Sequence, residues 1–258
     1  MSQLSILLFR LRSFIRYKLS AIGPHALHSP FLFDLYNQVI KPARSFRIKE
    51  IELLRKELLK DDGLIEVPDF KSERVDLKSM RSIAKGSTST KRFSAFLHLL
   101  IKYLKVSSIL ETGTSLGINT LYLAASSSEK ITTIEGSKLI ALHAQKNFDR
   151  FNEKNIRLVN GDLYKNFEQE VVRNKPDFYF LDADHRSSAI AFCIDLILKH
   201  TPNTKCIVIH DIYWSKDMSD IWQDLIEDPR FPLSLDIFQA GILFPNMDMP
   251  KQHFTLRF

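Results

Sequence analysis

From residue 107 to residue 227 the chain alternates short apolar runs with helical patterns, and this alternation leaves few folds open. Strands are expected at 107–112, 130–135, 156–160, 177–182 and 206–210, with helices at about 118–126, 138–151, 163–173, 187–199 and 217–227. Strands linked by single helices pack as parallel neighbours through right-handed crossovers. The expectation is an α/β, Rossmann-like, mostly parallel sheet. After the last helix the period changes to two strands, Leu233–Phe244 and Gln252–Phe258, joined by Pro245-Asn246 without a helix between them. That ending implies an antiparallel hairpin at the sheet edge, giving seven strands in all.

Within this half, residues 107–119 form the pivot. Ile109 and Leu110 read as a buried strand closed by Glu111, and Gly113 and Gly117 let the chain turn into the helix beginning near Ile118. In an open α/β sheet the crevice beyond such strand ends receives a nucleotide-like ligand, with N–H groups at the helix start facing its polar parts. The dinucleotide rule G-x-G-x-x-G, started at Gly113, fails at Ser115 and Ile118, and no Gly-Lys-Ser/Thr follows to make a phosphate loop.

The other strands also end in polar groups. Glu135 closes the second, Asp162 follows the third, Asp182 closes the fourth, and His210-Asp211 end the fifth. A core does not need five acidic strand ends, because burying an unpaired carboxylate is costly. As a set they mark a site, although any one could cap the helix that follows it.

The first 105 residues read differently. They carry 20 Lys and Arg against 10 Asp and Glu, whereas residues 106–258 carry 16 against 20. This surplus could attract an anionic acceptor, a nucleic acid or an anionic membrane, or simply solvate helix faces. Residues 4–19 form a basic amphipathic pattern with Leu4, Leu7, Leu8, Leu11, Phe14 and Ile15 on one stripe. That stripe is expected to pack on the body or on a second subunit, a homodimer, with peripheral membrane contact through residues 1–20 as the alternative. Ser29-Pro30 starts a helix to about Ile40, Arg47–Lys60 is a charged helix, Pro68-Asp69 marks a turn, and Val75–Lys85 reads as helical. His25 and His28 read as turn residues, with a substrate role as the alternative. No apolar run reaches the roughly 18–20 residues of a bilayer crossing. Cys193 and Cys206 show neither metal-ligand nor disulfide spacing, which fits a reducing cytoplasm.

Glu111-x-Gly113-x-Ser115-x-Gly117 resembles motif I of class I S-adenosylmethionine-dependent methyltransferases. Residues 107–258 are similar to the O-methyltransferase kind, the catechol, caffeoyl-CoA and sugar enzymes. The resemblance implies a cofactor-binding domain at 106–258 and S-adenosyl-L-methionine as cofactor. It assigns Glu111 and the loop Gly113, Thr114, Ser115 and Gly117 to that cofactor, Asn119 to its carboxylate and Glu135, with Gly136 and Ser137, to its ribose hydroxyls. Gly161, Asp162 and Leu163 match the adenine-contacting turn. Phe180-Leu181-Asp182-Ala183-Asp184-His185 resembles a family segment whose first Asp contacts the cofactor amine and, in many members, a divalent metal. His185 stands where that family has a catalytic lysine. As an imidazole it needs less tuning to accept a proton, since histidine titrates near ~6.5 and lysine near ~10.4. A divalent metal would fall on Asp182 and Asp211 with His210 as a substitute ligand, but Ile212 replaces the family's Asn and cannot ligate a hard cation.

The expected activity is methyl transfer to a hydroxyl of a small or lipid-like acceptor, with residues 1–105 as a basic helical lid. The Ser87–Thr90 stretch lies where that cover would begin. The alternatives are an RNA methyltransferase using the basic half, which lacks any recognised RNA-binding motif, and a non-catalytic cofactor-binding or membrane-associated protein.

Overall fold

A computed structural model describes residues 3–68, 75–126 and 130–258. In chain order the N-terminal region holds α1 (Gln3–Ser20), α2 (Pro30–Leu35), α3 (Lys49–Leu58), the antiparallel pair β1 (Leu64–Pro68) and β2 (Val75–Ser79), α4 (Met80–Ser87) and α5 (Lys91–Leu104). Then follow β3 (Ser108–Thr112), α6 (Ile118–Ala124), β4 (Lys130–Glu135), α7 (Lys138–Arg150), β5 (Ile156–Asn160), α8 (Leu163–Asn174), β6 (Phe178–Leu181), α9 (Ser187–His200), β7 (Cys206–His210), α10 (Lys216–Glu227), β8 (Leu233–Asp236), β9 (Ala240–Phe244) and β10 (Gln252–Thr255).

The main sheet runs β10-β8-β9-β7-β6-β3-β4-β5, and β9 is antiparallel to both neighbours. The expected seven-strand sheet is present, extended by one strand. The hairpin differs in place: the stretch 233–244 is not one strand but two, β8 and β9, folded back at Ile237–Gln239 with Phe238 at φ +68°. The segment expected to complete the hairpin, β10, instead adds parallel to β8 at the edge. The region expected to be helical over Val75–Lys85 also divides. Val75–Ser79 pairs with β1, and the helix begins only where Ser79 Oγ accepts from Ser82 N at 3.1 Å. The Pro68-Asp69 turn falls largely outside the described residues.

Alternation along the strands builds two cores. Ile109, Phe178, Phe180 and Val208 point to one face, where they meet α5, α6, α7 and the N-terminal helices through residues such as Phe93, Leu121, Phe148 and Leu35. Leu110, Tyr179, Leu181 and Ile209 point to the other, against α8, α9 and α10 through Phe167, Ile194 and Trp222. Both faces of the central strands β3, β6 and β7 are therefore dry, which is why they read as continuous apolar runs.

Close approach at Gly117 fixes how α6 leaves the strand. Its φ is +81°, and a Cβ there would lie 2.4 Å from Phe148 Cε1. Gly117→Ala combines left-handed backbone strain with overpacking and is expected to cost about 2–5 kcal/mol, or about 5–15 °C in calorimetric Tm. Gly23→Ala, with nothing within 4 Å of the added carbon, should change stability by less than about 0.5 kcal/mol. Equal melting of the two variants would refute the packing argument.

Candidate functional site

The carboxyl ends of β3, β4, β5, β6 and β7 open onto one edge, and the chain folds its polar strand ends there. The loop after β3 is pinned at both ends: Gly113 N donates to Ile134 O at 2.9 Å and Ser115 N to Glu135 Oε2 at 2.9 Å. Gly113, Ser115 and Gly117 all have positive φ, and a Cβ on Gly113 would meet Asp182 O at 2.5 Å. This loop passes so close to the end of β6 that only glycine fits. Ser87 and Thr88, at the end of α4, join Gly113, Thr114, Ser115, Leu116 and Asn119 around the crevice, and the Ser87 and Ser115 hydroxyls are in contact.

Glu135 lies at the mouth of β4. Its other oxygen accepts from Ser137 N at 2.9 Å, so one carboxylate ties the glycine loop to the start of α7. Burial raises its pKa and the backbone N–H groups of Ser137, Ser115 and Gly136 oppose that rise. Ser137 Oγ caps α7, while Gly136 is exposed beside it. Gly161 and Leu163 flank Asp162, which caps α8 by accepting from Lys165 N at 3.1 Å.

Asn119 is nearly buried and locked: its Oδ1 accepts from Ser94 Oγ at 2.7 Å and its Nδ2 donates to Ser89 Oγ at 2.9 Å. Behind it the buried Arg55 of α3 donates to Ser89 O and to Ser94 Oγ, with Glu52 as its counter-ion at 3.2 Å. These N-terminal partners escaped sequence reasoning. A Thr90-x-x-x-Ser94 start to a helix looks like ordinary capping, and only the fold brings it to Asn119.

Glu111 has no exposed surface. Its Oε2 accepts from Thr120 and Thr133 at 2.5 and 2.7 Å, and Thr114 Oγ1 lies 2.6 Å from Thr133 Oγ1, so Glu111 supports the loop from beneath. Burial pushes its pKa up to about 8, against the two threonine hydrogen bonds. An unfolded glutamate titrates near ~4.3, so this group's contribution to stability is full below that value and is lost as pH rises through about 8. Melting temperature is expected to fall between about pH 5 and about pH 9 more steeply in the wild type than in Glu111→Gln. Equal slopes would show that Glu111 is already ionised in the folded protein.

At the ends of β6 and β7, Asp182 Oδ1 and His210 Nδ1 lie 2.7 Å apart, and Asp211 Oδ2 is 3.7 Å from the same nitrogen. Burial alone would lower the His210 pKa; the charge and hydrogen bond of Asp182 and the charge of Asp211 more than offset this and push it up to about 9. The histidine carrying a carboxylate partner is thus His210, not His185. Asp184 bonds Arg186 and Tyr164. His185 lies in the loop before α9 with its ring 5.4 Å from that of Trp214. Phe93, from α5, covers the His210 ring at 4.7 Å, and Gln239 O accepts from Asp211 N at 2.7 Å. His25 and His28 are exposed on the turn leading into α2.

The donor set does not suit a divalent cation. Asp182 is engaged by His210, Ile212 is fully buried, and among the described residues no three His, Cys, Asp or Glu side chains are placed to hold a metal ion together. A hard cation wants several convergent oxygens.

Three solved structures share this arrangement of strands and helices. An O-methyltransferase from Bacillus cereus in complex with SAH superposes at a TM-score of 0.52, with 22% identity over 61% of this chain and 81% of that one. The SAH-bound methyltransferase PaMTH1 of Podospora anserina reaches 0.56, with 17% identity over 78% and 97%. TomG, an O-methyltransferase of Streptomyces achromogenes involved in tomaymycin synthesis and solved with SAM, reaches 0.52, with 15% identity over 62% and 82%. The chain therefore has the class I methyltransferase fold. Within that fold, residues 110–212 match the family model described as a methyltransferase domain, spanning the glycine loop through Ile212. No curated protein matches the chain.

Proposed function

We propose that the protein is an S-adenosylmethionine-dependent O-methyltransferase acting on a hydroxyl of a small or lipid-like acceptor. The observation that carries this reading is the clip of the glycine loop to Glu135, adjoining the Asp182–His210 pair at the next strand ends. The residues at these strand ends have the chemistry the cofactor needs: a carboxylate at the end of β4 can accept from two ribose hydroxyls, and the positive-φ loop leaves backbone free of Cβ atoms where a ligand approaches. Asn119 and the loop residues would hold the amino-acid end, Asp162 with Gly161 and Leu163 would face adenine, and Asp182 would face the amine. The cofactor supplies a methyl group on a sulfonium, ready for displacement by oxygen.

The chain's own residues align, desolvate and deprotonate. Phe93, Trp214 and the end of α4 limit water at the site. His210, held as an imidazolium by Asp182, is already protonated and fixes the carboxylate in place. His185 has no hydrogen-bond partner among the described residues and accepts the hydroxyl proton. Residues 1–105 form the acceptor-side cover of the domain at 106–258. Transfer of labelled methyl from the cofactor into cell-extract fractions, separated into lipid, RNA, protein and small molecules, tests the proposal. Label in the lipid or small-molecule fraction supports it; label confined to RNA or protein overturns it.

A further inference from the structure

The outward face of α1 serves no contact of the fold. At 3.6 residues per turn, Leu4, Leu7, Leu8, Leu11, Ile15 and Leu19 fall within an arc of about 120°. All six are exposed, Leu19 to 84%, Leu4 to 67% and Leu7 to 63%. The stripe, expected to pack on the body or on a second subunit, therefore does not pack on the body. The opposite side of the helix holds it to the body: Tyr17 is buried and donates to Leu256 O at 2.8 Å, and Arg10 lies 3.8 Å over Trp214 and donates to its carbonyl at 3.0 Å. Phe14, at the border, packs edge-on against Phe238 at 5.0 Å. Single exposed leucines are ordinary; a contiguous stripe along a whole helix is not.

Charge chooses the occupant. Among residues 3–20 the charged side chains are Arg10, Arg12, Arg16 and Lys18, with no carboxylate. Arg12 and Arg16 border the stripe, and with Ile15 and Leu19 they line an open depression of about 460 Å³. A second copy placed symmetrically on this face would meet the same patch, setting its cations beside these with no acid from either helix. An anionic surface has the complementary charge.

We propose that α1 is an interfacial helix that lies in the plane of an anionic bilayer. Its leucines enter the acyl boundary while Arg12, Arg16 and Lys18 reach lipid phosphates along their aliphatic stems. No helix among the described residues is long and apolar enough to cross a membrane, so the contact is peripheral. The docking inference stands apart from the catalytic proposal and is tested without activity.

Co-sedimentation of the full chain with phosphatidylcholine vesicles, with and without phosphatidylglycerol, is the test. Binding is expected only to the anionic vesicles and to weaken with salt. Arg12→Glu/Arg16→Glu and Leu7→Ser/Leu11→Ser/Ile15→Ser should each weaken it by about tenfold or more, at unchanged melting temperature. Failure to bind, equal binding to neutral vesicles, or variants that bind like the wild type would overturn the inference. So would a dimer in sedimentation velocity that the triple apolar variant dissolves.

Discussion

Replacing His185 by alanine is expected to lower the methyl-transfer rate by about 10²- to 10⁴-fold while leaving cofactor affinity within about twofold. The acceptor hydroxyl must lose its proton as the new bond forms, and a positioned imidazole can accept it. Two histidines lie at these strand ends. His210 is committed: Asp182 at 2.7 Å and Asp211 at 3.7 Å hold it charged to about pH 9, so it has no free lone pair at neutrality. His185 carries no such partner, and its contact is the ring of Trp214. EDTA should leave the wild-type rate unchanged. His210→Ala should behave differently, weakening cofactor binding as well as rate, because it strips Asp182 of its partner. If His185→Ala retained full activity and EDTA abolished it, the proton transfer would belong to a metal at Asp182 and Asp211.

Glu135→Ala should weaken S-adenosylmethionine binding by about 100-fold in calorimetry. Two hydroxyl hydrogen bonds to a carboxylate contribute about 1.5–3 kcal/mol each, and part of that is recovered from water in the variant. The residue also ties Ser115 N to Ser137 N, so some loss could come from a loosened loop. Glu135→Gln separates the two: it keeps an acceptor but loses the charge and one accepting oxygen, and should fall between alanine and wild type. Wild-type affinity in Glu135→Ala would remove the ribose assignment.

The fold was legible where periodicity was local. Five βα units follow from apolar runs bounded by caps and glycines, and the observed strands lie within a residue or so of the expected ones. Two misreadings share a cause. At Val75–Ser79 and at Leu233–Phe244 a strand was decided by its partner: β1 draws the first into a ladder, and a three-residue reversal around Phe238 splits the second. Neither partner is visible in a local window.

The site was legible as a set of strand ends and less so as a set of roles. Glu111 reads like Glu135 in sequence, yet one is enclosed by Thr120 and Thr133 while the other is part-exposed and clips Ser115 N to Ser137 N. His185 attracts attention through the segment it belongs to, whereas the pairing of His210 with Asp182 depends on β6 and β7 being neighbours. The burial of Arg55 behind Asn119 joins residues 64 positions apart, and no spacing rule reaches that far.

The Arg55, Ser94 and Asn119 chain bears on where this protein could be cut. A fragment beginning at residue 106, the compositional boundary, would leave Asn119 without the serines that fix both ends of its amide. It would also uncover the sheet face on which Phe93, Phe96, Leu97 and Leu100 rest. Such a fragment should express as an aggregating, exchange-labile chain. Recombination between relatives at this point would succeed only where both halves of the buried contact travel together.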